Sequence, residues 1–580
     1  MSFLNWATSS YLAKFSNAKL RLISFLITVA LFLIAYFIVG WWTDAYQHMY
    51  DTAISGELTN YDLAAAHNPF PEYMPGGAWV FNRLGALYPI RWVAFFLNGV
   101  LFISIWVIYY NTLKHVKQYP LLSVILILLF LSILFVESVL LYHMVRITMF
   151  AGIAALSYFL VHDEKRWLSL RAVPYFLLFV VALWIRCNVH LFLLTFLTGA
   201  FLLHRKSIKP LVVFWLAFTL FFLFYCKVVF WTDYSNDLNA FFLYNTEFKL
   251  QHTGDFEKKL HLENALDSVK YEAIANEIFA DEENLPPSFY YKIGILDHIN
   301  KFSLTQAIYA YYIFKRTVLE NLHFVAMDLV LILFYLVFGG AKTRHFRINT
   351  FLLFLFFYGI VAALSFIKME NRFLVPFQVF FLLTILIMHR PAVFSEKKYI
   401  PLLAIFVLVS AILSFHFISQ KVLFAKSFTS TTKKAYEWLH KNYPDATVVI
   451  NDRFITYNRP YETFFQRKYF KEWFVFNYYA VQFSPLYRPY IEQKCSCSIK
   501  NHIGFYNFLL STNKTVLILD RPKRAQVLSK YLRMVYNQEY TFTPIPSQNV
   551  NFNLVGFGED MILHSLSNAN EWHLPNAKDK

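Results

Sequence analysis

Trp41-Trp42-Thr43-Asp44-Ala45-Tyr46-Gln47-His48-Met49-Tyr50-Asp51 follows directly on an almost wholly apolar run, residues 22–40. Such a run is long enough to cross a bilayer as a helix, which takes about 20 apolar residues. The two tryptophans are amphipathic residues that favour headgroup depth. Asp44 then falls within a turn of the hydrocarbon edge, where a carboxylate is costly unless something uses it. Continued as a helix, the segment sets Asp44, His48 and Asp51 at i, i+4 and i+7, on one face. An acid at this place also ends a span in the ordinary way. The stretch therefore reads first as the exit of a membrane anchor, and the role of its acid depends on what else reaches that side.

The rest of the chain repeats the apolar pattern. Of 580 residues 57% are hydrophobic, 20% aromatic and only 16% charged, the composition of a polytopic membrane protein. The formal charge of +16 is spread over short loops between apolar runs, not gathered in a patch. Membrane topology explains it, no nucleic-acid-binding motif is present, and nucleic acid is excluded as a partner. Lys14, Lys19 and Arg21 precede the first apolar run as in a signal sequence. The run exceeds a signal-peptide core and no small-residue cleavage site follows, so it reads as an uncleaved anchor. Four cysteines, Cys187, Cys226, Cys495 and Cys497, form neither a disulfide framework nor a zinc set.

Eleven spans are expected, at about 22–41, 92–110, 121–136, 144–161, 172–185, 187–203, 211–230, 320–338, 350–366, 373–388 and 400–418. Arg186 nearly joins the fifth to the sixth, so a re-entrant pair or one broken helix fits that pattern equally. Lys and Arg concentrate in the N-terminus and in loops 111–120, 162–171, 204–210, 339–349 and 389–399. Those are therefore cytoplasmic, and the alternate loops face outside. Asp44, the loop 43–91, the junctions 137–146 and 185–190, the insert 231–318 and Lys368–Arg372 all share the external side. So does the tail 421–580.

The insert reads as helices lying over the external membrane surface, broken at Pro286-Pro287. Within the tail, residues 431–442 form an amphipathic helix, Ala446–Asn451 and Lys514–Asp520 read as buried strands, and 522–534 as a helix. That alternation favours a small doubly wound sheet without a Gly-rich phosphate loop. The expected architecture is a mostly α, polytopic membrane domain over 1–420 and a soluble external α/β domain over 421–580.

Ionisable residues at membrane depth are rare and are usually paired or functional. Glu137, His143 and Arg146 sit at one external junction, Arg186 and His190 at another, and Lys368-Met-Glu370-Asn-Arg372 at a third. Each alone fits a structural ion pair or a snorkelling side chain. Together they share a face with Asp44, and the arginine fork suits a lipid phosphate. The first loop adds His67-Asn-Pro69-Phe-Pro71-Glu72-Tyr73-Met74-Pro75-Gly76-Gly77, whose prolines and glycines specify a fixed irregular backbone. Such a loop shapes a site or merely routes a connection.

Three of these stretches carry a resemblance to the GT-C superfamily, polytopic glycosyltransferases that use polyprenyl-phosphate-linked sugars. Asp44-Ala-Tyr46-Gln-His-Met-Tyr50-Asp51-Thr-Ala53 is similar to that family's segment after the first span. Pro75-Gly-Gly-Ala-Trp79-Val-Phe-Asn-Arg83-Leu-Gly85 resembles its turn into the second span. Lys368-Met-Glu370-Asn-Arg372-Phe373-Leu374-Val-Pro376 resembles a late Lys/Glu-x-Arg-Phe-Leu-x-Pro signature. The tail fits bacterial members, with the protein mannosyltransferase and aminoarabinose transferase-like branch nearest. Asp44 lacks the acidic neighbour common in the family, and Met74 stands where a basic residue often precedes the proline. A Trp-Trp-Asp motif is missing from the tail, which argues against en bloc oligosaccharide transfer to asparagine.

The resemblance implies a multi-pass inner-membrane enzyme with a cytoplasmic N-terminus and a periplasmic tail. It would pass one sugar to a glycan, lipid or protein acceptor, with inversion. Asp44 would be the general base, with Asp51 and Glu370 positioning sugar hydroxyls or tuning it. Arg186, Arg372, Arg146 and Lys368, with His143, His190, His67 and Tyr73, would hold the donor and its phosphate, which leaves with charge stabilisation. No cofactor is assigned. Asp44, His48 and Asp51 are residue types that suit a divalent cation, but no metal is committed. From other classes, a transporter or flippase for lipid-linked glycans would carry internal symmetry with Gly/Pro-interrupted spans at midplane; the sequence shows no such repeat, and its charged groups lie at the external edge. A non-catalytic scaffold would leave Asp44 without a role.

Overall fold

The computed structural model describes residues 10–39, 74, 77–87, 92–140, 144–162, 169–204, 206–230, 260–276, 278, 281, 283–294, 304–320, 322–338, 344–367, 371–389, 396–450, 474–477, 502–511, 515–545 and 562–568. Each of the eleven expected spans coincides with a helix. In chain order the helices are α1 (Asn17–Val39), α2 (Gly77–Leu87), α3 (Trp92–Val116), α4 (Leu121–Leu140), α5 (Met144–Val161), α6 (Val173–Ile185), α7 (His190–Leu203) and α8 (Lys209–Phe230). There follow α9 (Ala265–Ala275), α10 (Pro287–Lys292), α11 (Leu304–Glu320), α12 (Leu322–Phe338), α13 (Arg344–Ile367), α14 (Asn371–His389) and α15 (Ile400–Asn442). Six segments, in α1, α3, α5, α8, α13 and α15, are long and apolar enough to cross a membrane. The chain is thus mostly helical, with a polytopic bundle and a small sheet near its C-terminal end.

Breaks between helices follow local chemistry. Pro174 starts α6, where its missing N–H costs nothing, and Arg186 ends it by turning to extended backbone (φ −161°, ψ 109°). The fifth and sixth expected spans are therefore two separate helices. Pro376 lies inside α14, one turn from its start. The 18-residue α5 is buried almost completely around its circumference, which makes it the central post of the bundle.

In the tail, β1 (Thr447–Ile450), β2 (Phe474–Asn477), β3 (Val516–Asp520), β4 (Tyr540–Pro544) and β5 (Ile562–Asn568) form one sheet of order β2-β1-β3-β5-β4. The β1 strand pairs parallel with β2 and with β3, Thr447 facing Phe474 and Val516. The doubly wound expectation describes that half only. On the other side β5 runs antiparallel to β3 and β4, Leu517 facing Ser565 and Tyr540 facing Asn568. Every residue of β3 is buried, as a strand covered on both faces requires. The helices α16 (His502–Ser511) and α17 (Pro522–Tyr536) accompany the sheet. Asn537 closes α17 in the left-handed region (φ 55°), its N–H donating to Arg533 O, a common helix stop.

Two elements make connections that the sequence does not announce. The amphipathic segment 431–442 is the far end of the single 43-residue α15. At about 1.5 Å per residue that helix spans about 65 Å, roughly twice a hydrocarbon core, so it carries the chain out of the bundle towards β1. The insert, expected over the membrane surface, is held by the tail. Lys530 Nζ lies 2.6 Å from Glu272 Oε2. The buried Asp281 accepts from Tyr531 Oη at 2.7 Å, from Tyr536 Oη, and from the Asn284 N–H at 3.1 Å. A buried carboxylate demands such partners, and two tyrosines of α17 supply them.

Candidate functional site

Helix registers fix which ends of the bundle lie together. Trp106 Nε1 of α3 donates to Arg21 O near the start of α1, and Phe102 packs against Phe25 and Phe32 of α1. Tyr109 of α3 reaches Ser132 of α4, and Phe135 of α4 meets Phe150 of α5. Thr148 Oγ1 of α5 donates to Ala182 O of α6 at 2.6 Å, while Tyr158 stacks on Tyr175. Consecutive helices thus alternate, and the ends of α1, α4 and α6 meet the starts of α3, α5 and α7.

The same reasoning places α14. Phe196 of α7 packs on Phe357 of α13, and Asn349 of α13 donates to Leu203 O, so those two helices are antiparallel. Phe357 and Phe354 pack on Phe377 and Phe381, so α13 and α14 are antiparallel as well. The α7 and α14 helices are therefore parallel, with Phe196 level with Phe377. Six residues back along each, about 9 Å at 1.5 Å per residue, come His190 and Asn371. The start of α14, with Arg372, is level with the α6–α7 junction.

That junction is the best-defined part of the candidate site. The N–H of Arg186 donates to Ala182 O at 3.1 Å, and its Nε donates to Asn188 Oδ1 at 3.1 Å, which fixes the plane of a half-buried guanidinium. His190 is fully buried, with Nδ1 at 3.0 Å from Arg186 O and Nε2 at 3.2 Å from Thr148 O. A neutral imidazole has one N–H, so His190 ties the junction either to itself or to α5. The ring fits because position 152 is glycine: a Cβ there would stand 2.7 Å from His190 Cδ2. Arg146 is buried on α5, half a turn before Thr148.

Onto this junction the first loop docks. Met74 donates its N–H to Trp184 O at 3.0 Å and lies near Ile185 O at 3.3 Å, the two residues preceding Arg186. Its backbone occupies the left-handed region (φ 45°), unusual for a side chain of its size, and its carbonyl accepts from the Gly77 N–H that opens α2. Trp184 stacks on Phe81 of α2 and meets Phe96 of α3 edge-on. The strained residue is thus held by both hydrogen bonding and aromatic packing.

Among the sequence candidates, Arg146, Arg186 and His190 are brought to one end of the bundle, and the backbone of Arg372 begins α14 there. The side chain of Arg372 is outside the described residues, as are Asp44, Asp51, His67, Tyr73, His143, Lys368 and Glu370. The α1 helix ends at Val39 at the same end of the bundle, and Asp44 follows five residues later in the sequence, outside the described residues. Sequence reasoning missed Thr148, Trp184 and Asn188, ordinary core residues with no motif around them. Among the described residues no three His, Cys, Asp or Glu side chains gather as a metal site. The arrangement offers fixed cationic and polar groups beside a docked loop, suited to an anionic group at the edge of a bundle.

No family model matches the sequence, and no curated protein matches it. A solved structure, ArnT from Cupriavidus metallidurans in the apo state, is similar over 93% of this chain and 97% of that one, at 12% identity and a TM-score of 0.34. A likeness at that score establishes no shared fold.

Proposed function

We propose that the chain is an integral membrane glycosyltransferase of the GT-C kind, moving one sugar from a polyprenyl-phosphate carrier to an acceptor on the external, periplasmic side. The observation that carries the reading is the seating of Met74, at the head of the Pro75-Gly76-Gly77 turn, on the two residues that precede Arg186. That contact joins the loop segment whose sequence resembles the family's turn into the second span to the junction that carries the candidate phosphate-binding Arg186. Arg186, oriented by Asn188, and Arg146 stabilise charge as the carrier phosphate leaves; Arg372 joins them from the start of α14. Such groups act best when fixed in advance, and the hydrogen bonds of the junction fix Arg186.

Asp44 orients the acceptor hydroxyl and takes its proton as the sugar is displaced. Asp51 and Glu370 position sugar hydroxyls. Lys368, His143, His67 and Tyr73 line the donor, and the fully buried His190 braces the junction. The acceptor is a glycan, a lipid or a protein.

The test supplies purified protein with a labelled polyprenyl-phosphate sugar pool and membrane extract. Wild type transfers label and Asp44→Asn does not; equal transfer by both removes Asp44 from the chemistry. Arg186→Ala weakens donor use by a hundredfold or more, roughly the loss of one transition-state charge contact. Unchanged donor affinity and turnover would remove Arg186 from the phosphate site. Transfer by neither wild type nor variant would refute the transferase reading.

A further inference from the structure

Beneath the candidate site, three helices meet through polar side chains in the interior of the bundle. Asp328 of α12 is fully buried. Its Oδ2 accepts from Tyr358 Oη of α13 at 3.0 Å and from Gln378 Nε2 of α14 at 3.0 Å. Among the described residues its other oxygen, Oδ1, has no hydrogen-bond partner, and neither has Oε1 of the equally buried Gln378. Gln378 lies six residues beyond Arg372 in α14, about 9 Å below its level.

Two buried acceptors without a donor would each cost free energy if the carboxyl were ionised. The chemistry of the pair removes both at once. A carboxylic acid and a primary amide form a two-point pair, amide N–H to acid C=O and acid O–H to amide C=O. The first of these bonds is Nε2 to Oδ2. The two atoms left over, Oδ1 and Oε1, are the two that one proton would join. A hard cation would call for about six or more oxygens, and among the described residues the pair itself leaves two open.

We infer that Asp328 holds a proton inside the bundle and shares it with Gln378 as a neutral acid–amide pair, a proton-binding latch that ties α12, α13 and α14 together. Release of the proton would set a carboxylate against an amide oxygen and leave the Tyr358 and Nε2 donors as the only bonds. At described positions the ionisable side chains on these three helices and on the helices packed against them are Tyr358 on α13, Tyr311, Tyr312, Lys315 and Arg316 on α11, Arg146 and Tyr158 on α5, and His190 on α7. In α15 the stretch Ile400–Phe415 brings buried Ser410 and Ser414 but no ionisable group, and His416 is exposed. The inference is independent of the transferase reading.

Infrared difference spectra between wild type and Asp328→Asn in lipid nanodiscs test it. At neutral pH wild type shows a protonated-carboxyl carbonyl band that the variant lacks. Asparagine reproduces the neutral acid, donating to Oε1 and accepting from Nε2, so the variant keeps the wild-type melting temperature. Asp328→Ala, which leaves Nε2 and Oε1 both unpaired, melts several degrees lower. Raising the pH lowers the melting temperature of wild type and not of Asp328→Asn. A carboxylate band in place of the acid band would overturn the inference. So would loss of the fold in Asp328→Asn, or a rise in wild-type melting temperature on titrating sodium that the variant does not share, the mark of a cation site.

Discussion

Replacing Gly152 by alanine tests whether the candidate site is held as tightly as its geometry implies. A Cβ at position 152 would stand 2.7 Å from His190 Cδ2, 2.8 Å from Nε2 and 3.1 Å from Leu193 Cδ1. Carbon atoms in good contact are about 3.5–4.0 Å apart, so the ring must withdraw by roughly 0.8 Å. The Nε2 to Thr148 O distance is already 3.2 Å, near the long limit of about 3.2 Å for such a bond, and withdrawal breaks it. Overpacking costs about 1–3 kcal/mol and the lost bond about 0.5–1.5 kcal/mol. Alanine returns about 1 kcal/mol of helix propensity. The net loss is about 1–3 kcal/mol by the same principles. Gly99 in α3 is the control, because a Cβ there meets nothing within 4 Å. Gly99→Ala should gain up to about 1 kcal/mol. Thermal unfolding of the two variants in nanodiscs reads the difference, and Gly152→Ala/His190→Ala should recover part of the loss, since the small side chain removes the clash. If Gly152→Ala melts with or above Gly99→Ala, the packing account of the junction is wrong.

Trp184→Ala removes a ring stacked on Phe81 and edge-on to Phe96; for a half-buried tryptophan a loss of about 2–3 kcal/mol is expected, below the fully buried range, with proteolysis of the 75–91 segment accelerated at unchanged cleavage elsewhere. Asp281→Ala strands the hydroxyls of Tyr531 and Tyr536 and should cost about 2–3 kcal/mol, read as faster hydrogen exchange in α9 and α17 together; exchange confined to one of them would refute the clamp. His564 in β5 is buried, and desolvation pushes its pKa below the ordinary value. Desolvation is the cause that counts, since neither ring nitrogen has a hydrogen-bond partner among the described residues. The unfolded form binds the proton more readily, so tail stability is full above about pH 6.5 and falls as pH drops below it. Wild type should therefore lose melting temperature between neutral and mildly acidic pH, and His564→Phe should lose less; equal slopes would discard the assignment.

Length and apolarity were enough to read the spans, because a bilayer demands long apolar helices and tolerates little else. Arg186 was ambiguous in the sequence, since a single charge between apolar runs fits a broken helix as well as two helices. Its extended backbone decides the matter and depends on the Ala182 carbonyl and the docked Met74, neither of which has a local signal. Two of the three parallel-paired strands, β1 and β3, announced themselves by β-branched runs, whereas β2 (Phe474-Val475-Phe476-Asn477) and the antiparallel pair did not. Tyr540–Pro544 is largely exposed, and Ile562–Asn568 mixes polar with apolar positions. The contact between insert and tail was invisible for a similar reason: Asp281 and Tyr531 lie 250 residues apart, and nothing in either segment names the other.

Met74 shows how the departures from a family pattern bear on mechanism. The resemblance leads one to look for a base before Pro75, yet the side chain here is apolar and fully buried. What the position contributes is its backbone, bent into the left-handed region and bonded to the carbonyl of Trp184. A basic side chain at this point would reach towards the donor; a buried methionine instead anchors the loop and leaves the cationic work to the arginines. The strain of roughly 1–3 kcal/mol carried by such a backbone persists only if the surroundings insist on it. Trp184 and Gly77 are the residues that insist, through one hydrogen bond each. On this reasoning Met74→Lys should cost stability through burial of an unpaired charge without improving donor use. A gain in donor affinity in that variant would mean that position 74 faces the donor, and the anchoring role assigned to it would fall.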